Sequence, residues 1–254
     1  MGSRKGMIME GDCLERMGDI ADGSVDMVLA DPPYGTTACK WDSIIPLEPM
    51  WEQLKRVIKP NGAIVMTASQ PFTTTLISSN MKMFKYCWVW EKTKATGHLN
   101  AKRQPMRKTE DVLVFYAKQC TYNPQGLIEG DFDNSRPCKA EKRDGNTVYG
   151  QEREYGKSKF TNYPMNLVKF SNPNNHTIHP TQKPVALMEY LIKTYTNKDE
   201  TVLDFTCGSG TTCVACVNTN RQYIGIEQDE KYVEIARKRV QEAKDSMGLF
   251  KDVK

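Results

Sequence analysis

The sequence lacks the features that would direct a chain out of the cytoplasm. Its first residues hold no apolar run of the kind a secretory signal needs, and no stretch approaches the length of a membrane span. The expectation is a cytoplasmic protein with no membrane partner. There are 8 cysteines, scattered singly apart from Cys213 and Cys216, so they read as reduced thiols and not as a disulfide framework. Cys213-Val-Ala-Cys216 has half the spacing of a zinc site, but no second pair completes it. The pair reads better as one side of a helix, and no metal is expected. No internal repeat is present. The net charge of +4 is too small to argue for a polyanionic partner by itself. One local absence says more. No acid interrupts the stretch holding Lys92, Lys94, Lys102, Arg103, Arg107 and Lys108, with His98 among them. An acid-free basic loop suits a phosphate backbone, although a solvated loop has the same composition.

The 254 residues suffice for one α/β domain, alone or carrying an insertion, and 39% hydrophobic with 26% charged residues is ordinary for a globular chain. Met7 to Met9 reads as a short strand, and Leu14, Met17 and Ile20 recur at helical spacing. The apolar run Val25 to Ala30 stops at Asp31-Pro32-Pro33-Tyr34, because prolines end strands. Trp51, Leu54, Val57 and Ile58 suit a helix closed by Asn61-Gly62, with a strand following from Ala63 to Thr67. Tyr86 to Trp90 and Val112 to Tyr116 read as buried strands. After Gln119 the composition turns to Asn, Gly, Pro, Lys, Arg and Glu without apolar period. Residues 120–175 are therefore expected to form an irregular functional insert. Pro184 then opens a helix with the stripe Val185, Met188, Leu191, Ile192 and Tyr195. A strand at 201–205, a helix at 211–217, a strand at 222–227 and a last helix capped by Asp229 complete the pattern. Alternating strands and helices imply a largely parallel sheet covered on both faces. Residues 1–119 and 176–254 are thus expected to be the two halves of one domain.

Two constellations carry chemistry. Gly208-Ser209-Gly210 follows a strand and opens a helix, so a backbone with free N–H groups can approach a ligand closely. Glu227 ends the next strand, where a carboxylate can accept both hydroxyls of a ribose. A third glycine and a Walker lysine are missing, which points to a nucleoside without pyrophosphate. Asp31-Pro32-Pro33-Tyr34 lies at the carboxyl end of a strand, where ligands of open α/β sheets bind. An exocyclic base amine is a poor nucleophile, since its lone pair is delocalised into the ring. A carboxylate and a backbone carbonyl accepting its two N–H bonds favour a pyramidal nitrogen, and Pro32 and Pro33 fix the direction of that carbonyl. The Tyr34 ring is suited to stack on a base taken out of the helix.

Asp31-Pro32-Pro33-Tyr34, the block His179-Pro-Thr181-Gln182-Lys183-Pro184 and the stretch Val202-Leu-Asp204-Phe-Thr206-Cys207-Gly208-Ser209-Gly210-Thr211-Thr212 together resemble the amino DNA methyltransferases. Their order is that of the circularly permuted beta group, with the catalytic block first and the cofactor loop last. The resemblance covers nearly the whole chain and is weakest over 120–175. It implies a Rossmann-like α/β fold with a mainly parallel seven-stranded sheet, S-adenosylmethionine as cofactor and double-stranded DNA as partner. It assigns catalysis to Asp31, Pro32, Pro33 and Tyr34. It assigns the methionine part of the cofactor to Asp204 and to Thr206, Cys207, Gly208, Ser209, Gly210 and Thr211, helped by His179, Thr181, Gln182 and Lys183. Glu227 takes the ribose, and Asp12 lies near the adenine. The loop departs from the family at Phe205, where a proline is usual, and at Thr206, where a phenylalanine is usual. Lys94, Lys102, Arg103 and Arg107 are expected on DNA phosphates.

Cytosine C5 methylation needs a thiol after a proline. Pro137-Cys138 supplies the dipeptide, but in the insert and with no Glu-Asn-Val partner. Cytosine N4 methylation shares the fold and is the runner-up. Aspartate at the first position of the tetrapeptide favours adenine N6 by resemblance. RNA or protein amide methyltransferases share the Pro-Pro-Tyr block but put the cofactor loop before it. A DNA-binding regulator without catalysis is disfavoured by the intact tetrapeptide beside a cofactor loop. The sequence leaves open a homodimer, and equally a cognate restriction enzyme or a phage or orphan setting. The recognition sequence is not legible in it.

Overall fold

The computed structural model describes residues 6–36, 42–133, 157–172 and 182–249. Two compact units form. The larger comprises residues 1–123 and 166–254, and the smaller residues 124–165. The chain begins with β1 (Met7–Glu10), α1 (Cys13–Met17), β2 (Val25–Ala30), α2 (Leu47–Val57), β3 (Ile58–Ala68), α3 (Phe72–Ser79), β4 (Phe84–Thr96) and β5 (Arg107–Phe115). The smaller unit holds β6 (Ile128–Asp133) and β7 (Lys157–Thr161), paired antiparallel. Then come β8 (Leu167–Phe170), α4 (Val185–Tyr195), β9 (Thr201–Asp204), α5 (Thr211–Asn218), β10 (Gln222–Glu227) and α6 (Glu230–Leu249).

The mainly parallel α/β architecture expected from the sequence is what the chain adopts. One 8-stranded sheet has the order β1-β10-β9-β2-β3-β5-β4-β8. Only β5 runs against its neighbours. The strand beyond the seven implied by the resemblance is β8, which comes from the segment 120–175 and pairs parallel with β4. Alternate residues of the central strands feed two cores. Met27, Leu29 and Val65 pack with α4 and α5, while Val28, Ala30, Ile64 and Met66 pack with α1, α2 and α3. Both faces of β2 are covered, which is why its sequence is apolar without alternation. Cys213 and Cys216 are buried on α5 against this sheet. Among the described residues no cluster suited to a metal is found, and no helix is long and apolar enough to cross a membrane.

The boundary between α2 and β3 differs from the sequence-based expectation. Asn61-Gly62 does not close a helix; it lies inside β3. The helix stops at Val57, because Ile58 already has extended backbone and Pro60 follows closely. Gly62 answers a different need. A Cβ there would sit 2.7 Å from the Asp26 carbonyl oxygen, so the glycine permits close approach to β2.

The site is positioned by strand polarity. From β2 the chain moves to β3 on one side, and from β9 to β10 on the other, so the direction of winding reverses between β2 and β9. Ligand crevices open outside the carboxyl ends of strands at such a reversal. Asp31 follows β2, Thr67 lies near the end of β3, and Asp204 and Glu227 end β9 and β10. Because β5 is antiparallel, Glu110 near its start faces the same edge.

Candidate active site

Pro32 and Pro33 cannot extend the β2 ladder, so the first polar side chain beyond the buried strand is Asp31. Its Oδ1 accepts from the Tyr34 hydroxyl at 2.7 Å and from the Thr67 hydroxyl. Its Oδ2 accepts from Lys183 Nζ at 2.7 Å. Lys183 also lies 3.4 Å from Glu110 Oε2, and Lys92 Nζ lies 3.0 Å from Glu110 Oε1. The four charges alternate, Asp31 to Lys183 to Glu110 to Lys92. The two lysine side chains are nearly buried, 8% and 5% exposed. Such burial is tolerable because each cation meets an anion and the set is neutral. Burial pulls the Lys183 ammonium down, but the Asp31 and Glu110 carboxylates outweigh it and hold it above the usual lysine range. Burial, and then Asp31, push the Tyr34 phenol well up, so it stays protonated and donates. The Tyr34 ring is stacked on Phe72 with centroids 5.4 Å apart, and Lys183 Nζ lies 5.5 Å from its centroid. A base stacking on Tyr34 therefore has at most the face away from Phe72.

Asp31, Tyr34, Lys92, Glu110 and Lys183 share one cavity of about 1210 Å³ with residues of the glycine loop and both strand-end acids. Asp204 is buried and accepts from the Thr206 backbone N–H at 3.1 Å. Burial lifts its carboxyl to about 7, against help from the Thr212 hydroxyl. Glu227 Oε2 accepts from Gly208 N–H and Oε1 from Asp229 N–H, both at 2.9 Å, and burial raises its carboxyl. Asp12 caps α1, accepting from Leu14 and Glu15 N–H groups, on the cavity wall. Ser209 is fixed from behind by Arg239, whose guanidinium donates to its carbonyl at 2.5 Å and its hydroxyl at 2.9 Å. Cys207 is buried with its thiol hydrogen-bonded to the free Cys213 thiol, which together with burial holds it well above the usual thiol range. Thr211 is buried and lines the cavity, whereas Gly210 does not. A Cβ on Gly210 would meet the Ala236 Cβ at 2.8 Å, and its φ is +80°. This glycine is required by the turn and by the packing of α6. Phe205, at the position where the family has proline, fills the core beside Leu203 and Ile226. Among the described residues, three buried polar atoms on the cavity lining lack a hydrogen-bond partner: Thr206 Oγ1, Gln182 Oε1 and Glu110 Oε2, the last having only its 3.4 Å ion pair with Lys183. A ligand with polar groups is what such orphaned atoms fit.

The basic run divides in two. Lys92 belongs to β4 and is spent in the buried network, not in a loop. Lys108 pairs with Glu91 at 2.9 Å. Lys94, Lys102, Arg103 and Arg107 are exposed, and Arg107 reaches Ser69 at 3.4 Å. His179, Thr181 and Pro137-Cys138 lie outside the described residues. Sequence reasoning missed Thr67, Glu110, Lys92, Phe72 and Arg239. Thr67 carried a signal, being a polar residue in the apolar run Ala63 to Ala68. Glu110 also did, as an acid at the entry of a buried strand.

The comparisons agree with one another. A family model described as DNA methylase matches residues 25–238. The chain is 27% identical to the Type II methyltransferase M.HpaI of Haemophilus parainfluenzae, over 90% of this chain and 72% of that protein. It is 26% identical to the DNA adenine methyltransferase YhdJ of Escherichia coli (strain K12), over 94% of this chain and 84% of that protein. Among solved structures, the complex of M1.HpyAVI with SAM aligns at TM-score 0.62 and 27% identity, over 92% of this chain and 98% of that chain. The cytosine-N4-specific PvuII DNA methyltransferase aligns at TM-score 0.65 but 16% identity, which is likeness of fold alone.

Proposed function

The chain belongs to the DNA methylase family and is an S-adenosylmethionine-dependent DNA methyltransferase, and we propose that its target is the N6 amine of adenine, extruded from the duplex. The observation that carries this reading is the Asp31 carboxylate opening onto the same cavity as Asp204, Glu227 and the glycine loop. When bound, S-adenosylmethionine supplies an electrophilic methyl group on a sulfonium. Asp204, the 206–209 loop and Gln182 are suited to its methionine part, and Glu227 to its ribose.

Asp31 does the work on the amine. An ionised carboxylate offers about four lone-pair positions. Tyr34, Thr67 and Lys183 use three of them, which leaves one for an N–H of the target. The Pro32 carbonyl takes the second N–H, and the nitrogen lone pair is then free to point at the methyl group. Lys183 pairs with Asp31, and Glu110, itself paired with Lys92, holds Lys183 in place. A target amine inside a paired duplex cannot reach this geometry, so the base must leave the stack. An aspartate in the tetrapeptide and the adenine-specific relative favour N6 over cytosine N4. Expression in a host lacking its own DNA methylation, followed by single-molecule sequencing, tests this. The expected result is N6-methyladenine in one sequence context; cytosine N4 modification alone would favour the runner-up.

Asp204 gives a pH prediction. Its carboxyl sits at about 7 in the ligand-free protein, so a large fraction is protonated near neutrality. A cation bound beside it favours the carboxylate. Cofactor binding should therefore expel a proton, and affinity should rise between about pH 6 and about pH 8. On stability the sign is opposite. The unfolded aspartate ionises near 3.8 while the buried one keeps its proton to about 7, so this group's contribution is lost as pH rises through that window. Calorimetry in buffers of different ionisation enthalpy reads the proton. Asp204→Asn should flatten the affinity profile, and a wild-type profile already flat would contradict the assignment.

A further inference from the structure

The connection between β4 and β5 has an apolar apex on a basic base. Leu99 is 102% exposed, the most exposed large hydrophobic side chain among the described residues. It sits in a 3₁₀ turn, His98–Asn100, entered through Gly97 at φ +95°. The turn is built by its own backbone. Asn100 N–H donates to the Gly97 carbonyl at 3.0 Å, Ala101 to His98 at 3.1 Å, Arg103 to Asn100 at 2.8 Å and Gln104 to Asn100 at 3.0 Å. No side chain from 98 to 109 is buried, so packing does not account for the ordered backbone. Exposed Lys94, Lys102 and Arg103 flank the apex in sequence, with no acid between residues 92 and 108. At its foot Thr96 pairs with Arg107, and both line the cavity that holds Asp31.

We propose that Leu99 is a wedge that enters the DNA base stack beside the target and holds open the space left by the extruded base. An exposed leucine is poorly solvated, and the interior of a base stack is the apolar partner that a polyanion offers. The surrounding cations suit the phosphates on either side of the opened step. The turn springs from the rim of the catalytic cavity, so an inserted side chain acts next to the base that Asp31 receives. This rests on the DNA-methyltransferase reading above and names the residue that assists extrusion.

The test uses the full chain and a duplex carrying the sequence context found by methylome mapping. Leu99→Ala should lower kcat/KM for the matched duplex by about tenfold or more, with S-adenosylmethionine affinity unchanged. The defect should shrink to within about twofold when the target adenine faces an abasic site, since extrusion is then nearly free. With a matched duplex containing 2-aminopurine at the target, the fluorescence rise on binding should also be smaller. Equal losses on matched and abasic duplexes, or no loss at all, would overturn the proposal. So would sedimentation showing that Leu99→Ala dissociates a dimer, which makes the apex a protein contact. If the wild type transfers no methyl group to any duplex, the reading beneath the proposal has failed instead.

Discussion

Replacing Asp31 with alanine is expected to lower methyl transfer by about 10²–10⁴-fold, the range for removing a positioned acid or base group, while cofactor affinity changes by less than about twofold. The cause is specific to the reacting amine. Asp31 is the only acid of the buried network whose carboxylate meets two hydroxyls and an ammonium at once, and its remaining lone pair is the one that faces the cavity in this account. Alanine removes that acceptor and frees Tyr34 and Thr67. The fold should survive, because Lys183 keeps Glu110 at 3.4 Å as a counter-ion. A stability loss of about 1–3 kcal/mol is anticipated from the broken charged hydrogen bonds. Asp31→Asn separates charge from shape: its amide still offers one oxygen, but it no longer neutralises Lys183, so it should recover little turnover. Turnover and calorimetric affinity measured on one preparation decide the matter. Retained turnover in Asp31→Ala removes this residue from catalysis.

The second large effect falls on the other side of the cavity. Glu227→Ala should weaken S-adenosylmethionine binding by roughly 10–100-fold, the span for losing hydrogen bonds to a charged group. Its carboxylate already accepts from Gly208 and Asp229 at 2.9 Å each, and about two further lone pairs are left for ribose hydroxyls. The substitution thus acts twice, by removing the ribose acceptor and by releasing the Gly208 turn, whose φ is +50°. S-adenosylhomocysteine has the same ribose and should lose affinity by the same factor. Unchanged affinity for both ligands would move the nucleoside elsewhere in the cavity. Gly210→Asp is a poorer probe, because the added side chain would strike α6 and disturb the turn itself.

Asp204 was assigned only through the family resemblance, whereas Asp31 and Glu227 were legible in the sequence for one reason. Each is the first acid after a run of buried strand residues, and in a parallel sheet that position fixes the edge to which the side chain goes. The partners of Asp31 were not legible. Lys183 is 152 residues away, and its meeting with Asp31 depends on a strand order that local pattern does not encode. Glu110 reaches the site only because β5 runs backwards, which reverses the rule that served for the other acids. Lys92 was read with the basic loop because its neighbours in sequence are basic, yet β4 extends to Thr96 and keeps it inside. α3 escaped notice because Phe-Thr-Thr-Thr-Leu-Ile-Ser-Ser is rich in β-branched residues and has no side-chain cap. Gly62 misled because a glycine required for close strand approach looks the same in sequence as one that ends a helix.

Adenine N6 methylation through Asp31 is tested most directly by one measurement: incubation of the protein with duplex DNA and S-adenosylmethionine labelled in its methyl group, then digestion of the DNA to nucleosides and separation of the labelled product. The label should appear in N6-methyladenine and vanish with Asp31→Ala. Label in cytosine, or none in DNA at all from a preparation that binds the cofactor, would contradict it.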